Sequence, residues 1–176
     1  MTTKPIDKIA WDAMVAIDCL QKASGQMPFI VPMIREAEQG RLLIVCSTIL
    51  RVEVFKVGGS AESAARQRDL IREFFQNEYF QFEPAHDWIA DFAQDLCRDF
   101  GITTVDSIHV ATAVFTRTPI LLTRDGTSAR RKKLLPLDGK VRHRDPGRPA
   151  LRIMTPEGYN QMRMRAENPL MNPPEP

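Results

Sequence analysis

The sequence predicts an α/β fold, a three-layer α/β/α sandwich around a central, mainly parallel sheet, and three observations predict it. Short apolar runs alternate with longer segments of helical period, the pattern left by strand–helix–strand units. The run Leu42-Leu-Ile-Val-Cys46 is apolar throughout rather than at every second position, as an inner parallel strand covered on both faces requires. The 176 residues, 43% hydrophobic and 26% charged, match one ordinary globular domain that buries roughly two-thirds of its unfolded surface.

The elements follow in order. Residues 8–11 read as the first strand and lead through Asp12 into a helix over residues 13–21, rich in good helix formers. Ser24, Gly25 and Pro28 break the chain, and a second helix is expected over residues 32–39, with proline in its first turn and Gly40 past its end. After the strand at residues 42–46, Ser47 or Thr48 is placed to cap a helix running to about Lys56, which Gly58 and Gly59 end. Another helix is expected over residues 60–76 and a short strand over residues 79–82. From residue 84 to 100, Trp88, Ile89, Phe92, Ala93, Leu96 and Phe100 share one helical face, and Gly101 supplies the stop. Asp87, Asp91, Asp95 and Asp99 run along the other side. One straight helix spreads such a stripe by about 6 Å per step instead of converging it, so it reads as a solvated face.

Residues 102–105 form an apolar approach to a helix over residues 107–116, and a strand is expected over residues 120–123. Three prolines and two glycines between residues 136 and 150 indicate loop, and residues 151–154 read as a last edge strand. Pro156 opens a short final helix, and the proline-rich tail from Asn168 is expected to lack regular structure. The chain thus divides into a body, residues 1–155, and a C-terminal segment, residues 156–176.

No apolar run approaches the roughly 20 residues a membrane span needs, and residues 1–7 do not read as a signal peptide. A cytoplasmic location without membrane association is expected. Cys19, Cys46 and Cys97 are odd in number and set in apolar segments, which suits reduced core thiols.

The net charge of +2 conceals an uneven distribution: residues 1–116 carry 11 Lys and Arg against 16 Asp and Glu, and residues 117–152 carry 11 against 3. A positive block on an acidic body points to a polyanionic partner such as nucleic acid, because Lys and Arg bound to phosphates release condensed counterions.

Acids placed just after apolar runs meet in space when those runs are parallel strands, because the crevice of such a sheet lies beyond the carboxyl ends of its strands. Asp12, Asp106 and Asp125 have this placement. Glu53 sits two turns into the helix after the second strand, where a longer side chain is needed to reach back over the sheet edge. Taken singly, Asp12 is an N-cap, Asp106 the third-position acid of a capping box begun by Thr103, Glu53 a surface helix residue, and Asp125-Gly126 a tight-turn dipeptide. Taken together, converging carboxylates repel one another and call for a hard cation.

The stretches Trp11-Asp-Ala-Met-Val-Ala-Ile17, Ser47-Thr-Ile-Leu-Arg-Val-Glu-Val54, Val105-Asp-Ser-Ile-His-Val-Ala-Thr-Ala113 and Leu121-Leu-Thr-Arg-Asp125 resemble, in order, the four acidic blocks of PIN-domain ribonucleases, the VapC-type toxins of toxin–antitoxin systems among them. The resemblance implies a PIN-like fold and a Mg²⁺- or Mn²⁺-dependent endoribonuclease with Asp12, Glu53, Asp106 and Asp125 as its metal-binding and catalytic carboxylates. Thr123 is expected to orient a carboxylate or a water from behind, and Arg124, Arg130, Arg131, Lys132 and Lys133 to hold the RNA backbone. His109, on the face of Asp106, is expected to pack beside the all-oxygen site rather than to ligate. The family further implies a homodimer and a cognate antitoxin that inserts a peptide into the acidic groove. Two other readings remain: a catalytically silent PIN-fold subunit for RNA binding or assembly, and a nuclease outside any toxin system.

Overall fold

The computed structural model describes residues 6–55, 64–126, 134–143, 145 and 147–168. Five strands, β1 (Asp7–Trp11), β2 (Leu42–Ser47), β3 (Phe80–Glu83), β4 (Ile120–Leu122) and β5 (Arg152–Met154), form one sheet in the order β3-β2-β1-β4-β5. Every pairing is parallel, with Ala10 opposite Val45, Trp11 opposite Leu122, and Leu122 opposite Met154. The expected parallel sheet and edge strand are therefore present.

Among the described residues there are seven α-helices, six between the strands and one after β5: α1 (Ala13–Leu20), α2 (Met27–Glu38), α3 (Leu50–Glu53), α4 (Ala64–Phe75), α5 (Asp87–Phe100), α6 (Thr104–Phe115) and α7 (Pro156–Glu167). Side chains alternate across each strand, so two cores form. On one face Ile9, Trp11, Ile44, Cys46 and Leu122 pack with α1, α2, α4 and Tyr159 of α7. On the other, Ala10, Val45, Leu121 and Ile153 pack with α5 and α6. Helices change face where the chain leaves β3 at one edge and returns beyond β1, as right-handed crossovers demand. Fully burying a side chain such as Ile9, Leu42 or Leu121 contributes about 1.5–3 kcal/mol. The sheet owes its stability to these two apolar layers.

Four expectations are corrected in detail. α2 starts at Met27, because Pro28 lies in its opening turn, where no N–H partner is needed, instead of breaking the chain. Pro32 sits inside that helix. The helix expected to run to Lys56 is the single turn α3: Val54 leaves helical geometry at φ −87°, ψ 69° and is buried in the core. The apolar approach at residues 102–105 is already partly α6, which begins at Thr104. The last helix is three turns long rather than short, capped by Thr155 Oγ1, which accepts from the Gly158 N–H at 3.1 Å.

α5 ends at Gly101 in the left-handed region, φ 61°, as its glycine foretold. The Asp stripe stays on the solvent side of α5, where Arg98 pairs with Asp95 and Asp99. Cys19, Cys46 and Cys97 are free thiols. Among the described residues no helix is long and apolar enough to cross a membrane. The run Arg130–Lys133, residues 60–63 and the tail beyond Asn168 lie outside the described residues.

Candidate acidic site at the carboxyl edge of the sheet

Asp12 directly follows β1 and caps α1. Its backbone N–H donates to the Leu122 carbonyl at 3.1 Å, so the parallel ladder carries it to the sheet edge beside β4. Its carboxylate accepts the Val15 N–H at 3.1 Å and a bond from the Thr123 hydroxyl. Thr123 Oγ1 in turn accepts the Asp125 N–H at 2.9 Å, so one buried hydroxyl orients Asp12 and bends the strand end that bears Asp125.

Glu53 closes the one-turn helix α3, and its Oε2 meets Nε2 of His109 at 2.6 Å. With the carboxylate ionised, Nε2–H donates. His109 lies inside α6 with its side chain 2% exposed, and its Nδ1 has no hydrogen-bond partner. The histidine acts as a neighbour that anchors an acid, as its position in the sequence suggested. Asp106 occupies the first turn of α6: its N–H donates to Thr103 Oγ1 at 3.2 Å, and that hydroxyl donates to Asp106 Oδ2 at 2.7 Å. The capping-box reading is right for the backbone, and the side-chain bond also fixes the carboxylate.

Gly126 presses the chain beyond Asp125 against Leu135, whose Cδ1 would lie 2.1 Å from a Cβ at that position. The Asp125 carbonyl accepts the Leu135 N–H at 3.2 Å. The DG dipeptide is used for close approach rather than for a tight hairpin.

The four carboxylates are electrostatically linked. Burial pushes Asp12 up to about 6; the charge of Glu53 adds to this, and Thr123, His109 and the Val15 N–H oppose it. Asp106 is raised by burial and by the charges of Asp125 and Glu53, against the Thr103 bond and His109. Each acid thus feels at least one other across the edge. Their oxygen-only chemistry fits Mg²⁺ or Mn²⁺, which would relieve both the desolvation and the repulsion. In the present arrangement, with Glu53 turned to His109 and Asp106 to Thr103, no three His, Cys, Asp or Glu among the described residues are grouped to hold an ion.

Arg124, expected at the RNA backbone, is paired with an acid of its own chain. Its guanidinium donates to both oxygens of Asp18 at 2.7 Å, and Asp18 is buried within α1. Sequence reading missed Asp18, although a lone acid inside the apolar helix Val15-Ala-Ile-Asp-Cys-Leu20 signals a buried charge in need of a cation. Three other arginines of the basic block are also engaged: Arg117 and Arg148 with Asp145, Arg152 with Asp138.

A five-stranded parallel sheet with an acidic carboxyl edge defines an α/β protein with a PIN-like fold. A chain in the crystal structure of VapBC2 from Rickettsia felis bound to a DNA fragment from their promoter shares this fold. Its TM-score is 0.53 at 10% identity, over 67% of this chain and 87% of that one. A chain of a toxin-antitoxin complex from Klebsiella pneumoniae is 24% identical over 66% of this chain and 86% of that one, with a TM-score of 0.44. No protein-family model and no curated protein matches the sequence.

Proposed function

We propose that the chain is a Mg²⁺- or Mn²⁺-dependent endoribonuclease, the toxin of a type II toxin–antitoxin pair. The observation that carries this reading is the linked set of Asp12, Glu53, Asp106 and Asp125 at the carboxyl edge of a PIN-like sheet. Asp12, Asp106, Glu53 and Asp125 would hold the cation, with Thr123 behind Asp12. When bound, the metal supplies Lewis-acid stabilisation of the phosphodiester and a more acidic water.

The chain's own residues do the positioning. Thr123 and the Val15 N–H fix the Asp12 rotamer, Thr103 fixes Asp106, and His109 holds Glu53. Four carboxylates at one edge repel a polyanion, so RNA can approach the bare edge only against their charge. Arg130, Arg131, Lys132 and Lys133 are assigned to the RNA backbone, and Arg124 to anchoring the strand end through Asp18. A cognate antitoxin, by inserting a peptide into the acidic groove, and a second copy of the chain are the proposed protein partners.

A second reading, a catalytically silent RNA-binding or assembly subunit, draws on the absence among the described residues of a preformed group of three ligands. One experiment separates the two: purified protein and Asp106→Asn are incubated with an RNA pool and Mn²⁺, and 5′ ends are sequenced. New ends from the wild type alone support the nuclease. RNA binding without new ends, together with no manganese uptake in calorimetry, supports the silent subunit.

A further inference from the structure

In the basic stretch at residues 117–152, Arg117, Arg124, Arg148 and Arg152 face acids, while Arg142 is exposed. A different positive surface stands beside Glu53. α3 and α4 enclose a cleft of about 580 Å³ lined by Arg51, Arg68 and Arg72 together with Phe55 and Phe75, and no carboxylate is among the described residues that line it. Arg51 lies two residues before Glu53 and Val54 directly after it, so the cleft begins on the same helical turn that presents a site acid.

The walls are fixed from below. Phe75 packs edge-on against Phe80 (5.5 Å, 76°) and Phe82 (5.4 Å, 89°), which seats α4 on β3. The Arg51 guanidinium lies 3.9 Å from the centroid of Phe82, a cation–π contact that holds it at the cleft. Phe55 is 74% exposed, a large ring left in water at the rim. Arg72 meets Asp69 only at 3.9 Å, with both side chains largely exposed, a pairing that contributes little. Three guanidinium groups around one exposed ring, Phe55, supply the two elements that hold single strands: cations for the phosphates and a ring face for an unpaired base. An acidic peptide would match the charge but would leave the ring unused.

We propose that this α3–α4 cleft binds single-stranded RNA flanking the scissile phosphate, with Phe55 stacking a base and Arg68 and Arg72 holding phosphates. The inference rests on the reading of the chain as an RNA-directed protein, and it commits to a path on the α4 side of Glu53. Duplex RNA, with its bases stacked inward, is a poor ligand for such a cleft.

The test uses full-length protein carrying Asp106→Asn, so that RNA survives, and anisotropy of a fluorescein-labelled oligouridylate. Arg68→Glu/Arg72→Glu should weaken binding tenfold or more at low salt. The milder Arg68→Gln/Arg72→Gln, which keeps the helix face polar, should flatten the slope of log K against log salt by about 1.4. Phe55→Ala should cost about tenfold, Phe55→Trp should restore binding, and its fluorescence should be quenched by RNA. Circular dichroism reports the fold of each variant. Equal binding by the Gln pair and by Phe55→Ala overturns the cleft, as does displacement of RNA by polyglutamate more readily than by unlabelled RNA. Cleft-dependent binding by a protein whose wild type cuts no RNA sinks the nuclease reading and leaves the cleft standing.

Discussion

Asp12 and Asp18 sit at opposite ends of α1, equally hidden from water, and are treated in opposite ways. Asp18 faces a guanidinium that meets both its oxygens, so its charge is cancelled where it stands. Asp12 receives only neutral donors, a hydroxyl and a backbone N–H, and burial raises its carboxyl to about 6. A buried charge with a full counter-ion is architecture. A buried charge left with dipoles alone is held at a cost in stability, and the cost is understandable if a cation is to arrive.

The largest expected effect separates the two by activity. Asp12→Asn should lower Mn²⁺-dependent RNA cleavage by about 10²–10³-fold, the usual loss when one preorganised charge-stabilising group is removed. The same substitution should raise the unfolding midpoint of metal-free protein at neutral pH, because the desolvated charge disappears. Asp18→Asn should lower that midpoint. Equal destabilisation by both would erase the distinction drawn between the two acids.

Next comes Arg124→Met, which strands Asp18. Breaking such a pair costs about 3–5 kcal/mol when both partners are buried, and Arg124 is 38% exposed, so the low end, about 3 kcal/mol, is expected in urea denaturation. The double replacement Asp18→Leu/Arg124→Met should recover most of the loss, since no unpaired charge remains. A double variant as unstable as the single one would show that the pair is not the cause.

The pH dependence sharpens the contrast further. Asp12 titrates at about 6 in the folded chain against 3.8 in the unfolded one, so the native state holds more protons between those values. Stability of the metal-free protein should therefore fall as pH rises from about 4 to about 6 and then level off, by no more than about 3 kcal/mol. On the proposed metal reading the cation takes the ionised form, so stabilisation by manganese should grow over the same range. Thermal melts with EDTA and with Mn²⁺ at pH 5 and 7.5 read both trends; metal stabilisation that is stronger at pH 5 would contradict them.

The smallest effect concerns the α6 end of the site. Thr103→Ala removes a helix cap and the bond that fixes Asp106, and should cost about 1 kcal/mol in denaturation.

Much of this architecture is legible in the residues, and the reasons differ by element. The strands showed because β1, β2 and β4 are dense in apolar side chains that must fill two cores, and the α5 boundary showed because Gly101 needs a positive φ. The short α3 did not, since the core's demand on Val54 outweighs the local preference to continue the helix. Among site residues, the positions of Asp12, Asp106 and Asp125 follow from strand and helix ends. The Asp18–Arg124 pair spans 106 residues and leaves no periodic trace. A tally of arginines over residues 117–152 does not reveal that Asp145 lies beside Arg117 and Asp138 beside Arg152.

The bond from Thr123 to Asp12 joins positions 111 apart in sequence. A chain made from its amino end therefore emerges from the ribosome with Asp12 in place and only its local cap bond to the Val15 N–H to orient it. At about 5–20 residues per second, seconds pass before β4 is made and can dock beside β1. Any reactivity that needs this edge is withheld from the nascent chain until β4 docks.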